Sequence, residues 1–323
     1  MKEKTNNKKE KYKIITIKFL VILSFLINII LIISFFSEKA HFHLNYEDYP
    51  FLSKRIFNQS PNDVILNFVP LRKAMKEYVN NQNGNVGIYF EYLPSGISIG
   101  VNDREEVKIA SLTKVPLAMS IMKKIEKGKL SLDTKVVIKE ENLDSKFGNL
   151  YKKGAGSIFS VKELIDESLI NSDNTAYDAL FNLLTTEEVV EVYENLEIEV
   201  NSRETKPIVS PKSFSSIFRS LYLASYLSEE DSNYILDILS RTSFNDKIPA
   251  GIPNKNIKIA HKIGVFSRID NPDKLFSDCG IIYVPDRPYT VCAFVQGSDE
   301  EAKKHISYLS YMIYSYVTLI KSN

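Results

Sequence analysis

The stretch VKIASLTKVPLAMS, residues 107–120, sets a serine and a lysine three residues apart at the head of an apolar helical pattern. Positions i and i+3 share a helix face, so Lys114 falls one turn above Ser111. A serine hydroxyl is a poor nucleophile until a base takes its proton. A lysine can be that base when burial and the positive end of a helix dipole disfavour its ammonium form. Ile109, Leu112, Val115, Leu117, Ile121 and Met122 leave this segment hardly any polar face, which suits burial. Helix-terminal N–H groups at Ser111 would also stabilise negative charge developing on a substrate oxygen. The plain alternative is a capping serine and a lysine that reaches solvent. Pro116 adds a puzzle, because it removes one early helical hydrogen bond.

Two more groups carry chemistry. Ser172-Asp173-Asn174 stands at a junction of helical patterns in LINSDNTAYDALFNLL, where the same residues would also serve as N-caps. In IAHKIGV, Lys262 falls near the end of a strand and Gly264 follows it. An inward lysine there supplies positive charge to a substrate carboxylate or to the serine's proton path. Gly264 lets a ligand approach the backbone, and the N–H of Val265 would be a second oxyanion donor. His261 points to the opposite face of the strand and reads as packing. Gly96-Ile97-Ser98-Ile99-Gly100 matches the G-x-S-x-G nucleophile elbow, but it opens the second strand of a hairpin and no helix follows.

These residues need elements to hold them. LRKAMKEYVNNQ (71–82) has helical spacing, and VGIYFEYLPSGISIGVN (86–102) reads as a hairpin broken at Pro94-Ser95-Gly96. From Ser111 to about Thr242 the pattern is mostly helical, with members at 111–127, 161–170, 174–184, 186–196, 210–226 and 229–241. Strand-like runs at 257–265, 279–284 and 289–295 precede an amphipathic helix over 299–319. Strands at both ends with helices between them predict an α+β sheet domain over 63–323, carrying a helical lobe at about 112–255.

The chain has 323 residues, 44% of them hydrophobic and 25% charged, enough to bury a core. A net charge of +1 removes the electrostatic case for a nucleic-acid partner. Phe19 to Phe36 is an uncharged run of 18 residues. At about 1.5 Å per residue it spans roughly 27 Å, close to the hydrocarbon core of a bilayer. Lys2, Lys4, Lys8, Lys9, Lys11, Lys13 and Lys18 precede it, a bias that keeps residues 1–18 cytosolic and sends the rest outward. The rival reading is a cleaved signal peptide, for which the run is long and SEKAHF lacks an A-x-A-like site. An uncleaved single-pass anchor at 19–36 is therefore expected, with an aromatic-rich connector over 37–62 and an extracytoplasmic domain beyond. Cys279 and Cys292 fall on two predicted strands; they can meet across a hairpin or be small buried hydrophobes. The histidines form no ligand cluster, so neither a metal nor a cofactor is expected.

The order of the three motifs is their most specific property. S-x-x-K opening a helix, S-D-N on a helical junction and K-x-G on a late strand resemble the class A β-lactamase and penicillin-binding-protein superfamily, from about residue 71 to the C-terminus. DKIPAGIPNKNIKIAHKIG is also similar to the family's approach to its lysine strand. The resemblance implies an antiparallel sheet built from N- and C-terminal segments, flanked by helices, with an all-helical inserted lobe. It also implies roles. Ser111 is the acylated nucleophile, Lys114 its base or proton carrier, and Ser172 a shuttle to the leaving group. Asn174 contacts the substrate amide, Lys262 draws the substrate carboxylate and tunes Ser172, and Asp173 braces its loop. The implied partner is a β-lactam or a peptidoglycan stem peptide.

Two departures stand out. Ile263 occupies the place where the family has Thr or Ser, whose hydroxyl binds the carboxylate. No E-x-x-L-N occurs between Asn174 and VSPKSF, where class A β-lactamases carry the glutamate that activates the deacylating water; Glu204 is the nearest substitute. Three expectations follow: a membrane-anchored serine hydrolase of D,D-peptidase or penicillin-binding type, a true β-lactamase, or a non-catalytic binding domain on the same fold.

Overall fold

The computed structural model describes residues 49–51, 67–82, 85–200, 207–267 and 274–319. The sheet domain opens with α1 (Val69–Asn80), whose Leu71, Met75 and Val79 form one buried stripe. The expected hairpin follows: β1 (Val86–Tyr92) pairs antiparallel with β2 (Ile97–Val101) around Gly96, which takes φ +74° in the turn. A two-residue strand, β3 (Val107–Lys108), leads through a 3₁₀ turn (Ala110–Thr113) into α2 (Lys114–Glu126).

The lobe then departs from an all-helical description. β4 (Lys135–Val137) and β5 (Ile158–Ser160) form a short ribbon, with Val136 opposite Phe159. α3 (Val161–Ile170) starts at a capping box, Ser160 Oγ accepting from Glu163 N while Glu163 accepts from Ser160 N. α4 (Asn174–Phe181) and α5 (Thr186–Asn195) follow, the second capped by Thr185 and Glu188 in the same way. β6 (Ile208–Val209) pairs with β3, so a second ribbon ties the lobe back to the segment before Ser111. Three-residue strands carry too little alternation to be read from sequence; tertiary partners make them. α6 (Pro211–Tyr222) has Ser210 as cap and Pro at its first position, and α7 (Glu229–Ser240) is capped by Ser228.

The chain returns to the sheet with β7 (Ile259–Phe266), β8 (Lys274–Ile282) and β9 (Tyr289–Gly297), and ends in α8 (Asp299–Leu319). The five strands are ordered β2-β1-β9-β8-β7, every neighbouring pair antiparallel. β8 begins at Lys274, five residues ahead of the expected 279, because both its neighbours continue the ladder there. Two cores flank the sheet. Ile88, Phe90, Val291 and Val295 join α1 and α8 on one face, whereas Phe294, Ile281 and Ala260 join the lobe on the other. Alternate residues thus face two buried environments, which is why β1 is buried throughout.

Of the two readings for the cysteines, the hairpin one holds: Cys279 and Cys292 lie directly opposite on β8 and β9 and form a disulfide, both fully buried. Among the described residues no helix is long and apolar enough to cross a membrane. The 19–36 run, the basic tail and most of the connector lie outside those residues. Tyr49–Asn323 forms one compact unit. Within the stretch read as connector, Phe51 is seated in the lobe-side core, 2% exposed. Its ring meets Tyr283 at 5.4 Å, and its carbonyl accepts from the Tyr283 hydroxyl at 3.0 Å. Removing a buried phenylalanine ring costs about 3–5 kcal/mol. Phe51→Ala should therefore lower the unfolding free energy of the domain by that order, read as a lower urea midpoint. An unchanged midpoint would return residues 49–51 to the connector.

Candidate active site

The candidate nucleophile is positioned by a turn that the helical pattern alone did not show. Ser111 sits in the 3₁₀ turn ahead of α2, and in such a turn residues i and i+3 eclipse, so Lys114 lies directly over it. Lys114 Nζ donates to Ser111 Oγ at 3.1 Å. Because α2 starts at Lys114, Pro116 falls in the first turn, where its missing N–H has no intrahelical partner to lose. That resolves the puzzle of Pro116. The lysine is no solvated amine: it is 2% exposed.

Lys114 reaches three acceptors on the lobe as well. Its Nζ donates to Asn174 Oδ1 at 2.7 Å, to the Ser172 carbonyl at 2.9 Å and to Ser172 Oγ at 3.4 Å. Lys262, fully buried on β7, donates to the same Ser172 Oγ at 2.8 Å and to the Ile263 carbonyl at 3.3 Å. Ser111, Lys114, Ser172, Asn174 and Lys262 thus converge from the 3₁₀ turn, the start of α2, the α3–α4 junction and β7. Burial, and next the charge of Lys114, push the Lys262 ammonium well below the ordinary lysine range, with Asp278 acting the other way.

The backbone is bent to bring them there. Ala110, just before the nucleophile, has φ +44°, and Ser172 has φ +55°. Both are left-handed positions that a side-chain-bearing residue holds only when its surroundings impose them. At Ser172 the restraint is Asp173, which is fully buried. Its Oδ1 caps α4 by accepting from Ala176 N at 2.9 Å, and its Oδ2 accepts from Asn149 N and Leu150 N at 2.7 and 2.8 Å. Gly148 makes room for that carboxylate: at φ +88°, a Cβ there would collide with Asp173 Oδ2.

Gly264 and Val265 lie on β7, the edge strand of the sheet, alongside the Ser111 turn. A Cβ at Gly264 would come within 2.9 Å of the Ile109 carbonyl and strike Ser277 Oγ, so only glycine lets the strand pass this close. Ile263, 5% exposed, stands opposite Asp278. His261 is buried on the far face and its Nδ1 lies 2.8 Å from Asp278 Oδ1, in keeping with a packing role. The 96–100 segment is β2, remote from this turn in the sheet order. Glu204 lies outside the described residues.

Sequence reasoning missed three aromatic groups. Tyr177, one turn after Asn174 on α4, has its ring 5.6 Å from Lys114 Nζ. Its phenol is pushed up by burial, against a hydrogen bond with Thr113. Phe244 lies 5.8 Å from Lys262 Nζ and meets Phe147 at 5.8 Å. The i+3 spacing from Asn174 could have flagged Tyr177; the two phenylalanines come from loops and carry no such signal.

A buried serine–lysine pair joined to a second lysine through a serine hydroxyl, between an antiparallel sheet and a helical lobe, defines an acyl-serine hydrolase. The chain belongs to the Beta-lactamase enzyme family, whose profile matches residues 70–317. It is 27% identical over 269 residues to a beta-lactamase of Bacteroides uniformis, covering 76% of this chain and 90% of that one. It is 25% identical over 221 residues to the extended-spectrum beta-lactamase PER-1 of Pseudomonas aeruginosa, 63% of this chain and 72% of the other. Its fold is similar to the structure of PBP-A, with TM-score 0.71 and 23% identity over 78% of this chain and 97% of that one.

The depressed Lys262 predicts a pH dependence. An amine with a lowered pKa is charged below it and loses its proton as pH rises through it, and the carboxylate-binding role expected for Lys262 needs the charged form. Acylation by a carboxylate-bearing penicillin should therefore fall on an alkaline limb placed below the ordinary lysine range. The corresponding penicillin methyl ester should lack that limb. An identical limb for both compounds would remove Lys262 from carboxylate binding.

Proposed function

We propose that this chain is a membrane-anchored, extracytoplasmic serine hydrolase of penicillin-binding type, forming an acyl-enzyme with β-lactams or D-Ala-D-Ala-type cell-wall peptides. The continuous hydrogen-bonded array from Ser111 through Lys114 and Ser172 to Lys262 carries this reading. Lys262 and Asn174 hold the substrate carboxylate and amide. Ser111 Oγ attacks the carbonyl carbon and its proton passes to Lys114. Negative charge gathers on the carbonyl oxygen, facing the amides of Ser111 and Val265. As the C–N bond breaks, the departing nitrogen takes a proton from Ser172, which draws a replacement from either lysine amine. The same bridge lets a proton cross between Lys114 and Lys262 without entering water.

Acylation has a candidate for each role; deacylation has only Glu204, which lies outside the described residues. Hydrolysis of the ester needs an activated water, and no E-x-x-L-N pattern occurs between Asn174 and Ser210 to supply its base. Loss of general-base help slows a step by about 10²–10⁴-fold. A fluorescent penicillin should therefore give a long-lived ester on Ser111, seen by intact-protein mass, in a membrane fraction whose labelled domain is removed by protease added outside the cell. Ser111→Ala should abolish labelling, Lys114→Ala should slow it by a similarly large factor, and Glu204→Gln should barely change the ester's lifetime. The names of the relatives favour a second reading, a true β-lactamase. Fast steady hydrolysis by the wild type, collapsing in Glu204→Gln, would establish that reading with Glu204 as base.

Ile263 separates this site from one with a hydroxyl in its place. Ile263→Thr should raise the acylation rate of carboxylate-bearing substrates by the worth of one hydrogen bond, about 0.5–1.5 kcal/mol and more if charge-assisted. No gain would mean that the carboxylate is held elsewhere.

A further inference from the structure

The amine expected to draw the substrate carboxylate is closed to it. Lys262 is 0% exposed, so water does not touch its side chain, and a carboxylate oxygen is no smaller than a water. An ammonium carries three N–H groups. Two of those on Lys262 meet the Ser172 hydroxyl at 2.8 Å and the Ile263 carbonyl at 3.3 Å. Among the described residues no acceptor meets the third, and the ring of Phe244 stands 5.8 Å from Nζ. A bound carboxylate would have to come within about 2.7–2.9 Å of that nitrogen. Carboxylate binding and this arrangement of the site exclude each other.

Two loops build the cover. Phe244 lies in the loop after α7, half-buried, and its ring meets that of Phe147 at 5.8 Å with 44° between the planes. Phe147 comes from the loop between β4 and β5, and its backbone is fixed. Its carbonyl accepts from Asn174 N at 3.0 Å, and the amides of Asn149 and Leu150 just beyond it donate to Asp173. The Phe244 loop is fastened on either side of the ring. Thr242 Oγ1 donates to the Ile170 carbonyl at 3.1 Å, and buried Lys247 pairs with Asp246 and Asp299 at 3.1 and 3.5 Å. Between these points Ser243 and Asn245 are exposed. The part free to move is the Phe244 ring, which can leave Lys262 by a change of rotamer while the loop ends stay in place. Its contact with Phe147 opposes that swing, an aromatic pair biasing the closed arrangement by roughly 2–10-fold.

We propose that Phe244, latched by Phe147, is a gate over Lys262 whose ring must swing aside before a substrate carboxylate reaches the amine. The apparent affinity for such a substrate is reduced by the fraction of molecules in which the gate is open. Substrates that do not use the amine are not slowed by it. The ring pair thus sets how fast carboxylate-bearing substrates acylate Ser111. This inference rests on the reading of Lys262 as the carboxylate site and is independent of how fast the ester is hydrolysed.

The test is the second-order rate constant for acylation of the full chain by benzylpenicillin and by its methyl ester, followed by intact-protein mass. Phe244→Ala and Phe147→Ala should each raise the ratio of the first constant to the second, by about 2–10-fold for loss of the ring pair. The double variant should gain no more than Phe244→Ala alone, because Phe147 acts through the Phe244 ring. Burial is the main reason the Lys262 amine titrates low; Lys114 on α2 adds to it and Asp278 on β8 opposes it. Uncovering the amine in Phe244→Ala should therefore move the alkaline limb of penicillin acylation upward. The chain has no Trp, so Phe244→Trp places a single fluorophore on the gate. Its emission should shift to the red as benzylpenicillin acylates Ser111 and stay in place with the methyl ester. Phe244→Leu, which keeps apolar volume without the ring, repeats the rate measurement if circular dichroism shows Phe244→Ala to be misfolded. An unchanged ratio, equal acceleration by both compounds, or the same emission shift with both would overturn the gate and leave the hydrolase reading standing. No acyl group on Ser111 from either compound would overturn both.

Discussion

One serine hydroxyl between two lysine amines holds the catalytic region together. Ser172 belongs to the lobe, Lys262 to the sheet and Lys114 to the helix that follows the Ser111 turn. Two buried amines are costly to keep from water unless hydrogen-bond acceptors meet them. Ser111, Ser172, Asn174 and the Ile263 carbonyl do so here, and each must be held in place by something else. Displacing any one element would leave an amine facing apolar packing. The close joint between lobe and sheet follows from that requirement.

Other features make sense as supports for this joint. Asp173 spends both carboxylate oxygens on backbone amides, fixing Ser172 in a left-handed conformation it would not choose. Gly264 removes the side chain that would hold β7 away from the Ile109–Ser111 turn. β7 needs stiffness because it is an edge strand with a partner on one side only. The disulfide lies in the same cross-strand row, Lys262 opposite Cys279 and Cys279 opposite Cys292, so the row behind the Lys262 amine is covalently tied. Beneath β7, Asp278 joins His261 to the amide of Ile248, whose carbonyl accepts from Ser310 of α8.

α1 and α8 bury one stripe each against the sheet and leave the other stripe aromatic and basic. The lobe buries most of its apolar residues inward, with Val137, Ile158, Phe181 and Leu223 left exposed. A sheet covered on both faces keeps the two surfaces apart.

Local pattern determined a good deal. Helices 161–170 and 299–319 were legible to the residue because capping residues and 3.6-residue periodicity reside in the segment itself. The hairpin at 86–102 was legible because Pro94-Ser95-Gly96 interrupts β-rich runs. Ser111, Lys114, Ser172, Asn174 and Lys262 could be named because three motifs in order resemble those of a known superfamily; spacing alone left each of them open to a plain capping or packing reading. Tertiary structure alone decided the rest. Residue types at 135–137 and 158–160 are too few to specify a ribbon, and Phe51 looks like any connector aromatic until Tyr283 and the lobe core receive it. Whether Cys279 meets Cys292 depends on strand register, and a shift of one residue would have turned the two to opposite faces. The meeting of Lys114 and Lys262 on Ser172 joins residues up to 148 positions apart. No local rule encodes such a contact, because it exists only once the sheet and the lobe have both buried their apolar faces.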